Sequence, residues 1–451
     1  MNPLIFREYD IRGRVNEDLT PDVVENLGCG YATMMTKERG IKSPRIVIGR
    51  DCRLSSDRLR DDLVRGLTQS GCHVIDIGVC PTPVLYFALF NLDVDGGIMI
   101  TGSHNPPEFN GFKVCIGKET IYGPHIQHLK EVIQEESFVK GNGDVEITPI
   151  TNKYASYLKD NIHLARPVKV VVDAGNGTGG VVAAPVMEQL GCQVSCLYCD
   201  MDGHFPNHHP DPTIPENLKE LIEQATTTDA ELGIAYDGDA DRIGVIDDKG
   251  SIIWGDQLMI LFSRSILSEH PSATIVSEVK CSMNLFEDIK KHGGKGIMWK
   301  AGHSLIKKKM REEGALLGGE MSGHIFFADR YFGYDDAIYA SLRLLEMLSK
   351  DTRSLSEMLS DVPKTFSTPE IRIDCPDEKK FEVVASIRDY FAKNGYKLID
   401  VDGVRVIFDD GWGLVRPSNT QPAIVLRFEA KTETRLKEIR GMVENKLNEY
   451  L

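Results

Sequence analysis

Hydrophobic and polar positions along the chain fall into a plan that recurs three times. An apolar run at Arg45–Gly49 predicts a strand. Leu59, Leu63 and Leu67, each four residues from the next, predict a helix with one apolar face, and Val74–Gly78 predicts a second strand. The succession returns as strand Val168–Val172, a glycine-rich turn, helix Val181–Leu190 and strand Gln193–Leu197. A third copy has strand Thr274–Val279, helix Ser282–His292 and strand Gly296–Trp299. Strands alternating with helices predict βαβ units on parallel or mixed sheets. After the polar, proline-bearing stretch Asp361–Pro369 the pattern changes. Strand-like Glu370–Ile373, a helix over Lys380–Asn394, strands near Val404–Phe408 and Ala423–Ala430, and a charged helix over Thr434–Tyr450 predict a smaller α+β domain. Further linkers are expected at Gly141–Asp144 and around Gly250–Gly255.

Composition narrows the classes. The chain has 451 residues, enough for two to four domains at roughly 100–200 residues each. Its 52 basic and 67 acidic residues leave a net charge of −15. That argues against a nucleic-acid or anionic-membrane partner held by overall charge, but permits a local basic pocket. With no apolar run of about eighteen residues, no transmembrane helix is expected. The stretch MNPLIFREYDIRG carries Arg7, Glu8, Asp10 and Arg12 and has no apolar core, so it does not read as a signal peptide. The ten cysteines are scattered, and reduced thiols in a cytoplasmic protein are the expectation. Cys196-x-x-Cys199 with His204, His208 and His209 is the nearest approach to a zinc pattern. However, Cys192, Val194, Cys196 and Tyr198 alternate as strand residues, which would turn these thiols mostly into a core.

Four loops carry candidate chemistry. Thr101–Pro107 (TGSHNPP) follows the apolar stretch Gly97–Ile100, and its Gly, Asn and Pro predict a tight turn presenting Ser103 outward. A serine needs a base or a charged pocket to react, and His104 and Lys113 are near in sequence. Asp237–Arg242 (DGDADR) lies between apolar strands Leu232–Ala235 and Ile243–Ile246. Its three alternate carboxylates repel one another unless a cation sits among them, and hard oxygen ligands suit Mg²⁺ or Ca²⁺. The EF-hand pattern fails, because Arg242 and Asp248 stand where glycine and glutamate are required. Gly318–His324 (GGEMSGH) places Glu320, Ser322 and His324 at alternate positions, a carboxylate, hydroxyl and imidazole set suited to a sugar. Arg416–Thr420 (RPSNT) offers one guanidinium, two hydroxyls and an amide on a turn, a phosphate cradle. Gly175–Gly180 also fits the dinucleotide-binding G-x-G-x-x-G spacing, with Asp200 ending the next strand. A tight strand-to-helix turn explains it equally, and it accounts for none of the four loops.

Taken together and in order, these motifs resemble the α-D-phosphohexomutase family, and most closely its bacterial phosphomannomutase/phosphoglucomutase branch. The resemblance runs through Tyr9–Gly13 (YDIRG), Thr101–Pro106, Asp237–Arg242, Glu278–Lys280, Gly302–Met310, Gly319–His324 and Arg416–Thr420. It implies an α/β protein of three repeated mixed domains, here 1–148, 149–251 and 252–365, with a C-terminal α+β domain at 366–451, all facing a central cleft. It further implies that Ser103 is the phosphorylated serine and that Asp237, Asp239 and Asp241 hold Mg²⁺ together with that serine's phosphate. Glu320 and Ser322 would contact sugar hydroxyls. Arg416, Ser418, Asn419 and Thr420 would clamp the phosphate that does not react. Tyr9, Arg12, Lys113, Arg242, Lys280, His303 and His324 match further family site positions. Ala301 departs from the pattern, since a hydroxyl residue is expected before the GHSL run, and Met321 fits the branch.

The resemblance implies reversible interconversion of hexose 1-phosphate and hexose 6-phosphate, of mannose, glucose or both, through phospho-Ser103 and a hexose 1,6-bisphosphate. Such transfer mainly requires alignment and charge neutralisation. Mg²⁺, Arg12, Lys113 and Arg242 would supply them, with Lys113 or His324 carrying the proton. The expected partners are small sugar phosphates, with no nucleic acid and no membrane. A monomer is the expected state, with an oligomer left open. Two rival classes are a nicotinamide-dependent dehydrogenase and a catalytically silent sugar-phosphate binder.

Overall fold

The computed structural model describes residues 1–451 except Thr420. Three sheets share one topology. In the first, strand Arg45–Arg50 runs parallel to both His73–Val79 and Gly96–Ile100, and Gly96–Ile100 turns back antiparallel as Phe109–Ile116. In the second, Lys169–Asp173 is parallel to Gln193–Leu197 and Leu232–Tyr236, which returns antiparallel as Ile243–Ile246. In the third, Thr274–Glu278 is parallel to Lys295–Trp299 and Leu317–Gly319, which returns antiparallel as Ile325–Phe327. The strands leading into each return are buried along their whole length. The connecting loops are 101–108, 237–242 and 320–324. The three candidate loops for serine, metal and sugar therefore occupy the same topological position in three copies of one unit. The fourth loop also joins antiparallel neighbours, Gly411–Pro417 and Ala423–Ala430, in the C-terminal sheet.

Local sequence explains the units. In the helix Ser56–Gln69, Leu59, Leu63 and Leu67 are all fully buried. Burying each is worth about 1.5–3 kcal/mol against the cost of ordering the chain. The helix Pro21–Arg39 starts on proline and stops at Gly40, whose φ of 71° suits glycine. Strand Gly411–Pro417, absent from the pattern reading, is masked in sequence by its two glycines and terminal proline. The expected linkers at Gly141–Asp144 and Gly250–Gly255 adjoin the short edge strands Asp144–Ile147 and Ile252–Ile253.

One expectation fails here, and two alternative readings find no support. Cys196 is exposed rather than turned into a core, because Gln193–Leu197 is the uncovered edge of the second sheet. Among the described residues, the groups able to hold a metal contain no cysteine, so the zinc pattern does not assemble. The Gly175–Gly180 turn is packed shut. A Cβ at Gly177 would lie 2.6 Å from the Gly238 carbonyl, and one at Gly180 would lie 2.5 Å from that of Cys199. Gly177 thus packs its backbone against the aspartate loop, and Gly180 against the chain just after strand Gln193–Leu197.

The first three domains share one apolar core. Leu85 and Phe87 from the first, Tyr154 and Val186 from the second, and Tyr331, Tyr339 and Leu342 from the third belong to it. The C-terminal domain has its own core, built on Ile387, Phe391, Val404, Leu426 and Phe428. A small buried cluster of Val279, Trp412 and Leu414 joins it to the third domain. Met283, Met298, Val401 and Ile407 pack around it, and polar contacts flank it: Arg405 donates to the carbonyls of Val279 and Cys281 at 2.6 and 2.8 Å, and lies 3.6 Å over the Trp412 ring. No helix among the described residues is long and apolar enough to cross a membrane.

Candidate active site

The serine loop is built around a buried arginine that sequence reasoning missed. Arg53 donates to the carbonyls of Ser103 (2.8 Å), Asn105 (2.5 Å), Pro106 (2.8 Å) and Phe109 (3.0 Å), while Phe205 lies under its guanidinium. The chain is drawn around this cation, and Ser103 takes a left-handed φ of 50°. That conformation is strained for serine, by about 1–3 kcal/mol, and such strain gathers at functional sites. Ser103 is buried, not presented outward as the turn residues suggest, because the loop closes against the aspartate loop. Its Oγ donates to Asp237 Oδ2 at 2.8 Å and lies 3.0 Å from His104 Nδ1.

The aspartate loop is fixed by its own backbone. Asp237 Oδ1 accepts the N–H groups of Asp241 and Arg242, both at 3.1 Å, and Ala240 adopts φ 56° to allow the turn. Asp239 accepts Thr82 Oγ1 at 2.5 Å and Lys113 Nζ at 3.0 Å, and Lys113 also bonds Asp241. Burial and then its two sister aspartates push Asp237 well above the usual carboxylate range. Burial also opposes ionisation of Asp239, but Lys113 and Thr82 override it and hold its carboxyl low. Lys113 itself is held charged: burial works against its ammonium, and Asp239 and Asp241 more than compensate. One oxygen of Asp239 and one of Asp241 are buried with no hydrogen-bond donor. Ligand atoms of all three aspartates lie within 4.8 Å of one another. Orphaned carboxylate oxygens, all hard donors, fit a divalent cation such as Mg²⁺.

The sugar loop faces this pair. Glu320 accepts the Gly302 N–H at 2.5 Å and Ser322 Oγ at 3.3 Å. Its carboxyl sits below the usual range: burial opposes this, and positive charge on His324 when it is protonated, and on Lys280, outweighs burial. His324 Nδ1 lies 3.1 Å from the Asp241 carbonyl and 3.3 Å from Asp335 Oδ2, and its Nε2 accepts Arg242 Nε at 3.0 Å. The guanidinium can only donate, so His324 is the Nδ1–H tautomer with its lone pair on Nε2. His303, the first residue of the helix His303–Glu313, lies 3.3 Å from the same Asp335 oxygen and stacks on His324 at 5.6 Å. Burial and then Lys307 depress its pKa. Asp335 was not legible as a site residue, since no motif surrounds it. Lys280 lies 3.2 Å from Glu370 and 3.4 Å from Glu278. Burial, only partly offset by Lys280, pushes the Glu278 carboxyl up to about 7.

The fourth loop closes the ring. Arg416 Nε donates to Asp402 at 2.9 Å, the Ser418 carbonyl accepts Lys380 at 2.6 Å, and Asn419 donates to the Tyr9 hydroxyl at 2.7 Å. Thr420 lies outside the described residues. Arg12 donates to Asp10 at 2.6 Å and to Asn105 at 2.9 Å. Tyr9, Arg12, Ser103, Lys113, Arg242, Lys280, His303, Glu320, Ser322, His324, Arg416, Ser418 and Asn419 line one cleft of about 1140 Å³. The three aspartates stand immediately behind its wall, reached through Ser103 and Lys113. The cations of this cleft give an acidic protein a local site for an anion.

A serine turn on an acidic cluster able to hold a cation, opposite a basic cradle and a carboxylate–hydroxyl–imidazole set, is the arrangement expected of an enzyme acting on a phosphorylated polyol. Comparison with known proteins agrees. Models of phosphoglucomutase/phosphomannomutase α/β/α domains I, II and III match residues 3–140, 152–250 and 254–366, and the model of the C-terminal domain matches 370–446. The phosphomannomutase/phosphoglucomutase of Pseudomonas aeruginosa is 47% identical over 98% of this chain and 95% of its own. The phosphoglucomutase of Neisseria gonorrhoeae is 45% identical over 97% and 95%. The crystal structure of a phosphoglucomutase/phosphomannomutase family protein from Burkholderia thailandensis matches with TM-score 0.93 and 41% identity, over 99% of this chain and 97% of that one. The chain belongs to the phosphoglucomutase/phosphomannomutase family of α-D-phosphohexomutases, and is a hexose-phosphate mutase, an isomerase.

Proposed function

We propose that the enzyme interconverts hexose 1-phosphate and hexose 6-phosphate, of glucose, mannose or both, through phospho-Ser103 and a hexose 1,6-bisphosphate. The observation that carries this reading is Ser103 Oγ standing 2.8 Å from Asp237 beside two orphaned carboxylate oxygens, in the same cleft as Arg416. Asp237, Asp239 and Asp241 would hold Mg²⁺, which when bound offsets the charge of a serine-linked phosphate and of the group in transfer.

The chain's own residues divide the remaining work. Arg416, Ser418, Asn419 and Thr420 grip the phosphate already on the sugar, and Glu320 and Ser322 fix the ring hydroxyls. The free hydroxyl then faces phospho-Ser103. The bond from phosphorus to Ser103 Oγ breaks as the bond to the sugar oxygen forms, and the hydroxyl proton leaves to a base. His324 is favoured over Lys113 for that role. Lys113 is an ammonium between two aspartates, whereas His324 has a lone pair on Nε2. Arg242, drawn toward a bound phosphate, would uncover it. Arg12 adds a cation at the mouth of the serine loop. The bisphosphate turns end for end and returns its other phosphate to Ser103.

A coupled assay with glucose 1-phosphate and mannose 1-phosphate, with Mg²⁺ and trace bisphosphate, tests the activity. Intact mass tests the intermediate: wild-type protein is expected to show a species heavier by one phosphate, absent from Ser103→Ala. Near-wild-type turnover in Ser103→Ala would overturn the phosphoserine route.

A further inference from the structure

Beside the Lys280–Glu370 ion pair, Ala301 of the third domain links the C-terminal domain to the rest of the site through both of its main-chain polar groups. Asp402 Oδ2 accepts the Ala301 N–H at 3.1 Å, and the Ala301 carbonyl accepts the Tyr9 hydroxyl at 2.8 Å. The same Asp402 oxygen accepts Arg416 Nε at 2.9 Å, and the same Tyr9 hydroxyl accepts Asn419 at 2.7 Å. Two side chains of the phosphate loop are thus each tied, through one intermediary, to the same residue of the third domain. The next residue donates its N–H to Glu320, and a Cβ there would fall 2.5 Å from the Tyr9 ring.

Asp402 is held in place by its neighbour. Gly403 has φ 75°, and a Cβ on it would lie 2.4 Å from the Val415 carbonyl and 2.6 Å from Arg416 Cα. The turn therefore lies flat on the strand that carries Arg416. Asp402 and Arg416 are both nearly buried, so this is a largely desolvated ion pair at a fixed spacing. Occupying Nε leaves the two terminal nitrogens of the guanidinium as the face presented to the cleft, the fork that binds a phosphate in bidentate fashion.

We propose that Asp402 is a positioning residue for the distal phosphate: it orients the Arg416 fork and, through Ala301, makes that orientation depend on the C-terminal domain being closed. The proposal rests on the reading of Arg416 as the phosphate clamp. The ligand it serves is the phosphate monoester of a hexose, at either end of the sugar.

Full-length Asp402→Ala, Asp402→Asn, Arg416→Ala and the Asp402→Ala/Arg416→Ala double variant, assayed with glucose 1-phosphate and glucose 6-phosphate, test it. Asp402→Ala is expected to raise KM for both isomers together by about tenfold, with kcat within about threefold of wild type, since a charge-assisted contact is loosened and no reacting atom is touched. Release of glucose 1,6-bisphosphate into solution per turnover should rise. Asp402→Asn keeps an acceptor oxygen and should recover part of the KM; it also serves if the alanine variant fails to fold. In the double variant the Asp402 change should add nothing to the loss caused by Arg416→Ala. Unchanged KM in Asp402→Ala, or additive losses, overturns the proposal. An Arg416→Ala enzyme with wild-type KM would instead overturn the clamp reading itself.

Discussion

The junctions among the first three domains and the junction to the fourth are built from different materials. The first three share a continuous apolar core, in which the Phe87 ring packs 5.5 Å from Tyr154 and 6.2 Å from Phe332, one partner from each of the other two domains. The fourth is joined by a small apolar cluster, buried arginines on carbonyls, and the bonds around Ala301. Small polar interfaces are those across which domains move relative to one another by default. On the proposed reading, serine, aspartates and sugar loop thus stand on the more rigid body, and the phosphate clamp stands on the one expected to move. Chemistry that needs fixed spacing is separated from binding that must open for exchange.

This contrast can be broken from either side. Phe87→Ala cuts the shared core and should cost about 3–5 kcal/mol, read as a lowered melting temperature with activity retained in the cold. A loss confined to activity would show that the three domains are not held by that core. Asp239→Asn strikes the rigid side's chemistry, and turnover should fall about 10²–10³-fold with weakened Mg²⁺ dependence. Wild-type rate at limiting Mg²⁺ would remove Asp239 from the cation site. Arg416→Ala strikes the mobile side, and titration of both isomers should show similar losses of about 1.5–3 kcal/mol, because one clamp serves both. Unchanged affinity with a lowered melting temperature would make Arg416 a brace for its turn.

The smallest effect sharpens the core side. Asp336 of the third domain accepts Tyr154 of the second at 2.9 Å, and burial pushes its carboxyl up to about 6. The folded state therefore favours the protonated form. Its contribution is fully present below about pH 4 and is lost as pH rises through about 6. Asp336→Asn cannot lose it, so its stability relative to wild type should improve by on the order of 2–3 kcal/mol between pH 4 and pH 7.5. Melting curves across that range check this, and a constant difference would mean that Asp336 does not titrate there.

The loops were legible because their chemistry is contiguous: DGDADR and TGSHNP each hold their functional groups within a few residues. The repeated βαβ plan was legible for the same reason, through local periodicity. What binds the loops to one another was not. Lys113 meets Asp239 across 126 residues, Arg53 shapes the serine loop through carbonyls that any sequence would supply, and Tyr9 reaches the carbonyl of Ala301 across 292. Ser103 was expected on the surface because turn residues report local conformation, not what later packs on the turn. The equivalence of three loops in three sheets is not apparent from their residues, whose functional groups differ.

The Tyr9–Asn419 bond, spanning 410 residues, sets an order of assembly during synthesis. At roughly 5–20 residues per second, the Arg416 loop follows the aspartate loop off the ribosome by on the order of ten to thirty seconds. In that interval the nascent chain can already carry Ser103, the three aspartates and then Glu320 and Ser322, but not Arg416. On the proposed reading the cleft gains its phosphate clamp only when the last domain emerges, so translation itself would delay the onset of catalysis.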